Sequence, residues 1–188
     1  MAWLITAIPA QIAIDEIVVR RYTRDDAAAL VDAVTASLPE LLPWMPWAKF
    51  EPQTVAQRRE LIEVWSREWD QGLNYTMGIF IGSECVGGTG FHLRGDVGVL
   101  EIGYWVSTVH SGRGIITRVS EALTTSAFMA PEVHEVQILH DVANVRSQRI
   151  PERLGFTMTG ESDRNAEAPA EAGRLRRWVM TREQWALR

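Results

Sequence analysis

The stretch from Tyr75 to Ser107 leaves the chain little freedom. YTMGIFI (75–81) is an extended run closed by Gly82-Ser83-Glu84. CVGGTGFHL (85–93) is a second, ending at a turn around Gly95-Asp96, and GVLEIGYWVS (98–107) is a third. β-Branched and aromatic residues between turn formers read as strands, and strands joined by so few residues must run antiparallel as neighbours. The middle of the protein is therefore a meander, and the rest of the chain has to pack on it or extend it.

The third strand leads directly into HSGRGIITR (110–118) and a helix-like sequence, GIITRVSEALTTSAFMA (114–130), in which Val119, Leu123 and Ala127 share one side. A glycine-bearing strand-to-helix junction presents several unpaired backbone N–H groups. The helix dipole adds partial positive charge, so the junction suits a phosphate. Gly112 and Gly114 let an anion reach the backbone with no Cβ between, and Arg113 and Arg118 add charge. The same G-x-G is also compatible with a plain tight turn. It does not match G-x-x-x-x-G-K-[ST], and it lacks both the third glycine of the dinucleotide fingerprint and an early βαβ unit.

Upstream, IVVRRY (17–22) reads as a strand. TRDDAAALVDAVTASL (23–38) reads as a helix with Thr23 as cap, acids in the first turn, Leu30, Val31 and Val34 on one face, and Pro39 as its limit. PELLPWMPWAKFEP (39–52), with four prolines and two tryptophans, reads as a rigid turn-rich loop and not a helix. TVAQRRELIEVWSREWDQG (54–72) is the plainest helix: Thr54 caps it, Leu61, Ile62, Trp65 and Trp69 form a stripe, and Gly72 stops it.

Downstream, HEVQILHDV (134–142) reads as a strand and NVRSQRIPERLGF (144–156) as a short helix closed by Gly155. Phe156 to Gly160 reads as a strand, Glu161 to Ala172 as a polar loop, RLRRWVMT (174–181) as the last strand and REQWALR (182–188) as a tail. The order of strand, two helices, three strands, helix, strand, helix and two strands predicts a mixed α/β (α+β) fold in one domain over residues 1–188, with no internal repeat or linker.

Composition removes several function classes. A chain of 188 residues can bury one substantial core. Its net charge of −5 gives no global basic field for nucleic acid. The one cysteine, Cys85, allows neither an intramolecular disulfide nor a cysteine metal cluster, and it reads as a small core residue in a reducing cytoplasm. The opening MAWLITAIPAQIAIDEIVVRRY lacks the basic start of a signal peptide. Its apolar run, interrupted by Pro9 and Gln11, is too short to span a bilayer, so it reads as an irregular lead into the first strand. His92, His110, His134 and His140 show no metal-ligand spacing, and no metal is expected.

EIGYWVSTVHSGRGIITRVSEAL (101–123) followed by NVRSQRIPERLGF resembles the GNAT superfamily of acyl-CoA-dependent N-acyltransferases, and within it the RimJ/RimL-like subgroup that acetylates ribosomal-protein N-termini. LLPWMPWAKF (41–50), RLGF (153–156) and REQW (182–185) carry the resemblance over almost the whole chain. It is specific to fold and cofactor and much less so to the acceptor. It implies a mixed, mostly antiparallel central sheet flanked by helices. The strand carrying YWVS splays from the one carrying QILHDV, and the pantetheine arm of acetyl-CoA lies in the gap. Three positions depart from the family pattern. Ser111 stands where Gln or Arg is usual, Ile116 where Gly or Ala is frequent, and Pro151 inside a helix that normally carries a small apolar residue there. A proline beyond the first turn removes a hydrogen bond and can kink the helix, less so if Ser147 is the cap.

Residue roles follow by resemblance. Trp105 and Val106 supply backbone contacts to the pantetheine arm, and the Val106 N–H polarises the thioester carbonyl. The loop of His110, Ser111, Gly112, Arg113, Gly114, Ile115 and Ile116 surrounds the pyrophosphate, and Asn144 bonds the arm. Ser147 matches the general acid that protonates the leaving thiolate, though its hydroxyl is equally suited to capping a helix. Glu167 is assigned as the general base, with Glu161, Glu171 and a relayed water as rivals. Trp44 and Trp47 shape the acceptor cleft, or pack against the neighbouring helix.

The expected reaction is acetyl transfer to a primary amine, most naturally a protein or peptide N-terminus. A small-molecule amine or amino acid as acceptor, succinyl-CoA as donor, and a non-catalytic acyl-CoA-binding module are the alternatives. Relatives often pair as homodimers through late strands or helices, and RLRRWVMT is an exposed stretch that could contribute.

Overall fold

The computed structural model describes residues 8–94 and 96–188. An eight-stranded sheet runs through them, formed by β1 (Gln11–Ile14), β2 (Ile17–Arg21), β3 (Asn74–Ile81), β4 (Glu84–His92), β5 (Val99–Val106), β6 (Glu135–Asp141), β7 (Thr157–Asp163) and β8 (Arg174–Thr181). Their spatial order is β1-β2-β3-β4-β5-β6-β8-β7. Every neighbouring pair is antiparallel except β5–β6. The helices are α1 (Ala27–Leu41), α2 (Val55–Asp70), α3 (Ile115–Met129), α4 (Val145–Arg153) and α5 (Arg182–Ala186). The central meander and the mostly antiparallel α/β architecture are as the sequence requires.

Strand alternation builds a core on each face. In β3, Met77 and Ile79 join the cluster that contains Val119, Leu123 and Ala127 of α3. Phe80, one residue on, joins Leu30 and Val34 of α1 and Ile62 of α2. Helical spacing of the apolar residues and period-two alternation in the strands thus place α1 and α2 on one side of the sheet and α3 on the other.

Several local readings are corrected. Gln11–Ile14 is a strand, hairpinned to β2, where an irregular lead was expected. Residues 1–7 of that segment, and Gly95 of the turn after β4, lie outside the described residues. Pro39 sits inside α1 and does not end it. The proline forfeits only the bond to the Thr35 carbonyl, and the Leu42 N–H still reaches the Leu38 carbonyl at 2.9 Å. Within the tryptophan loop, Pro46–Phe50 forms a 3-10 helix, with proline at the first position, where no N–H is needed. The strand after Gly155 continues to Asp163, because Glu161 finds Arg174 and Arg176 across the ladder. REQWA is helix α5, not a tail, since Thr181 and Gln184 form a capping box. RLRRWVMT lies between β6 and β7 with Trp178, Val179 and Met180 buried, so the sheet edge on that side is β7.

The feature that positions the site is a fault in the sheet. β5 and β6 pair only through Val99–Glu135, Leu100–Val136 and Glu101–Gln137. Beyond these, β5 continues to Val106 and β6 to Asp141 without bonding each other. The Ser107 N–H bonds the Val86 carbonyl at 2.8 Å, and the Gly103 carbonyl accepts from Thr89 Oγ1 at 2.8 Å. Odd-numbered groups of β5 therefore face β4, and alternation turns the N–H groups of Tyr104 and Val106 into the gap. Main-chain donors in a sheet interior require a partner, and an extended ligand supplies one. No helix among the described residues is long and apolar enough to cross a membrane.

Candidate active site

A cleft of about 940 Å³ runs along the gap, with Trp44, Trp47, Trp65, Trp105, Asn144 and Ser147 in its walls. Trp47 and Trp105 meet with centroids 6.1 Å apart and planes at 60°. Trp44 and Trp47 line the cleft, and Trp47 also packs on the core cluster of α1 and α2.

At one end of β5 the chain enters α3 through the glycines. Gly112 and Gly114 take φ of 78° and 73°, and a Cβ on either would meet no protein atom within 4 Å. Gly114 is the N-cap residue, in the left-handed region that glycine enters without strain, so the first N–H groups of α3 open onto free space. Ile115 and Ile116 are buried and anchor the helix start, which accounts for a bulky residue at position 116. Ser111 and Arg113 are exposed on the loop. Two neighbours behave differently from expectation. Arg118 is held by Glu16 at 2.9 Å and Asp15 at 3.3 Å, so its charge is partly neutralised. The His110 side chain is buried, with Nδ1 2.9 Å from Ser107 Oγ, and it secures the turn beneath the loop.

On β6 and α4 the structure settles which residue caps. Asn144 is the N-cap, its Oδ1 accepting from the Ser147 N–H at 3.1 Å. Ser147 is therefore released from capping, and its Oγ lies 3.0 Å from the Tyr104 hydroxyl. Pro151 lies within α4 and has no N–H for the carbonyl four residues earlier, which is that of Ser147. Tyr104 donates to this carbonyl at 3.1 Å. The proline thus frees an acceptor that ties α4 to the splayed end of β5. Burial pushes the Tyr104 phenol well above its ordinary value, outweighing the opposing Ser147 bond, so it remains a donor. Tyr104→Phe should lower stability by about 1–2 kcal/mol in urea unfolding by leaving that carbonyl unpaired. In a Pro151→Ala background the cost should shrink, because the restored N–H takes the carbonyl. Equal costs in both backgrounds would break the link.

The loop between β7 and β8 separates the three glutamates. Glu161 pairs with Arg174 at 2.9 Å and Arg176 at 2.6 Å and is not part of the cleft wall. Glu171 is buried against Arg164 and accepts the N–H groups of Glu167 at 2.7 Å and Ala168 at 3.1 Å. Glu167 is exposed at the cleft mouth, and its carboxylate has no hydrogen bond or ion pair among the described residues. The Ala170 N–H bonds the Pro43 carbonyl at 3.0 Å, joining this loop to the tryptophan loop opposite. Asp141 fastens the whole arrangement. It is 4% exposed and accepts the N–H groups of Ala143, Ala172, Gly173 and Arg174 at 2.9–3.2 Å.

Sequence reasoning passed over His92, Arg94 and Glu101, which line the cleft beside β5. The available signal was the glycine content of CVGGTGFHL, which leaves one face of β4 too bare to fill the space above it. Cys85 is buried, and burial raises its thiol to about 11, in keeping with a core residue. Among the described residues no group of three or more His, Cys, Asp or Glu could hold a metal ion.

Known proteins resemble this one in sequence or in fold. YdaF of Bacillus subtilis (strain 168), a ribosomal N-acetyltransferase by name, is 28% identical over 149 residues, covering 79% of this chain and 81% of that protein. The structure of RimL, the ribosomal L7/L12 alpha-N-protein acetyltransferase, in complex with coenzyme A superposes with a TM-score of 0.81 at 18% identity, covering 95% of this chain and 99% of that one. The microcin C7 self-immunity acetyltransferase MccE, in complex with acetyl-CoA and AMP, gives 0.82 at 19% identity, covering 89% and 93%. The acetyltransferase (GNAT) domain model matches residues 16–157, which hold the meander, the glycine junction, the splayed strands and the Asn144 cap, and the chain belongs to that family.

Proposed function

We propose that this protein transfers the acetyl group of acetyl-CoA to the primary amine of a protein or peptide N-terminus, in the cytoplasm. The observation that carries the reading is the β5–β6 gap. It adjoins a cleft walled by Trp44, Trp47 and Trp105, and the strand beside it leads on to the glycine-capped start of α3. A donor in the gap and an acceptor in the cleft would then meet beside β5. The names of YdaF and RimL support a protein acceptor. The MccE complex, with acetyl-CoA and AMP, keeps a small-molecule amine as the second reading.

In this reading the amine nitrogen attacks the thioester carbonyl, forming the C–N bond and then breaking C–S. The Val106 N–H receives the developing oxyanion. Asn144 bonds the pantetheine arm, and the loop of Ser111 to Ile116 receives the pyrophosphate through backbone N–H groups with Arg113 at its side. Ser147 turns its hydroxyl proton from the Tyr104 oxygen to the departing thiolate. Glu167 at the mouth receives the ammonium form of the acceptor and takes its first proton.

The test follows thiol release from acetyl-CoA with peptides of varied N-terminal residue and with free amino acids. Ser147→Ala should lower kcat about 100-fold without changing the KM for acetyl-CoA, and Glu167→Gln should lower kcat/KM for the peptide about tenfold or more. Faster turnover of small amines than of any peptide would favour the second reading, and coenzyme A binding without turnover would leave a binding module.

A further inference from the structure

Acylation of an ammonium releases two protons from one nitrogen. The first must leave before attack, and the second as the C–N bond forms. Ser147 gives its hydroxyl proton to sulfur and regains one from solvent, Glu167 at the exposed mouth takes the first proton from nitrogen, and the second needs an acceptor inside the cleft. We propose that His92 is that second base, taking the proton that the nitrogen sheds as it bonds to the acetyl carbon. The proposal rests on the acetyl-transfer reading above.

Three observations carry it. First, of the four histidines only His92 and His140 line the cleft, and His140 has no free nitrogen. Its Nε2 accepts from the Trp178 indole at 2.9 Å, and its Nδ1 donates to the Asp141 carbonyl at 2.8 Å. Second, the tautomer of His92 is fixed by a chain of amide and carboxylate. The Asn74 amide nitrogen donates to Glu68 at 3.4 Å, which turns Asn74 Oδ1 toward His92 Nδ1 at 3.3 Å. Nδ1 must then carry the hydrogen, and Nε2 keeps its lone pair, with no hydrogen-bond partner among the described residues. Third, that nitrogen is aimed at the reacting strand. A Cβ on Gly103 would lie 2.9 Å from His92 Nε2, so the imidazole occupies space that only a glycine leaves open. Gly103 lies just past the last β5–β6 pair, where the gap opens, and directly precedes Tyr104. His92 and the Tyr104–Ser147 pair thus flank the same short piece of backbone, one to accept a proton and one to donate.

The surroundings keep the ring ready. Burial lowers its pKa from the ordinary imidazole value and outweighs the carboxylates of Glu101 and Glu68, with Arg94 acting in the same direction as burial. Arg94 is itself shared with Glu101, at 2.9 and 3.0 Å, and lies in the field of Glu167. His92 is therefore neutral at neutral pH and able to accept.

The decisive measurement is kcat against pH at saturating peptide, for the wild type, His92→Asn and Glu167→Gln. Asparagine keeps a donor for Asn74 and removes the base. His92→Asn should lose about 100-fold in kcat with the KM for acetyl-CoA unchanged. The acid limb of wild-type kcat, which should lie below the ordinary imidazole value, should disappear in it and persist in Glu167→Gln. Nitrogen-15 spectra of the wild-type imidazoles should show His92 as the Nδ1–H tautomer. A kcat within threefold of wild type with the acid limb intact, or an Nε2–H tautomer, overturns the assignment of His92 while leaving acetyl transfer standing. A wild type that acetylates no amine sinks the parent reading, and this one with it.

Discussion

Asp141→Ala is expected to destabilise the protein by about 3 kcal/mol, the largest loss from any single truncation near the site. Hydrogen bonds to a charged group contribute roughly 1.5–3 kcal/mol each, and buried donors left unpaired cost about 1–3 kcal/mol. Four backbone N–H groups converge on this one carboxylate, from the start of the β6–α4 turn and from the end of the loop that carries Glu167. Water will reach some of them in the variant, which holds the loss below the simple sum. Burial alone would raise the Asp141 pKa, but the four N–H groups outweigh it and hold the carboxyl below its ordinary range. A depressed folded-state pKa stabilises fully above the unfolded value near 4, and the contribution is lost as pH falls through the folded value. Urea unfolding of wild type and Asp141→Asn should therefore differ most at neutral pH and converge below about pH 4. Parallel curves across that range would show that the carboxylate charge is not what the N–H groups require.

Gly114→Val should weaken acetyl-CoA binding at least tenfold while leaving most of the fold intact. The residue sits at φ 73° with no protein atom within 4 Å of a would-be Cβ. A side chain therefore meets no clash in the free protein. It incurs roughly 1–2 kcal/mol for the left-handed conformation, more when β-branched, and it fills the space through which a phosphate reaches the first N–H groups of α3. Calorimetric titration with acetyl-CoA, beside a thermal melt, separates the two effects. Unchanged affinity with a lowered melting temperature would place the pyrophosphate elsewhere.

Much of this was legible in the sequence because the signals were local. Strand alternation in YTMGIFI, the stripe Leu61, Ile62, Trp65 and Trp69, and the glycines at 112 and 114 each encode backbone shape within a few residues. The misreadings were places where tertiary structure overrode a local rule. Pro39 is tolerated because α1 needs little from one missing bond near its end. Gln11–Ile14 becomes a strand because β2 offers an edge. Pro151 looked like a defect and proves to hand a carbonyl to Tyr104, a residue more than forty positions away in sequence. His92 was passed over for the same reason. Its meaning comes from Asn74, Glu68 and Gly103, which the fold brings together and no motif records.

The parted strands have a further consequence for the catalytic cycle. Under the proposed function the donor completes a sheet that the polypeptide leaves unfinished, so acetyl-CoA is at once reactant and temporary secondary structure. The halves β1–β5 and β6–β8 are hydrogen-bonded to each other through three residue pairs. Each turnover therefore inserts and withdraws a strand-like element at the weakest seam of the molecule. Release of coenzyme A then amounts to reopening a sheet. The donor's arrival and departure are then events in the secondary structure of the protein as much as in its cleft.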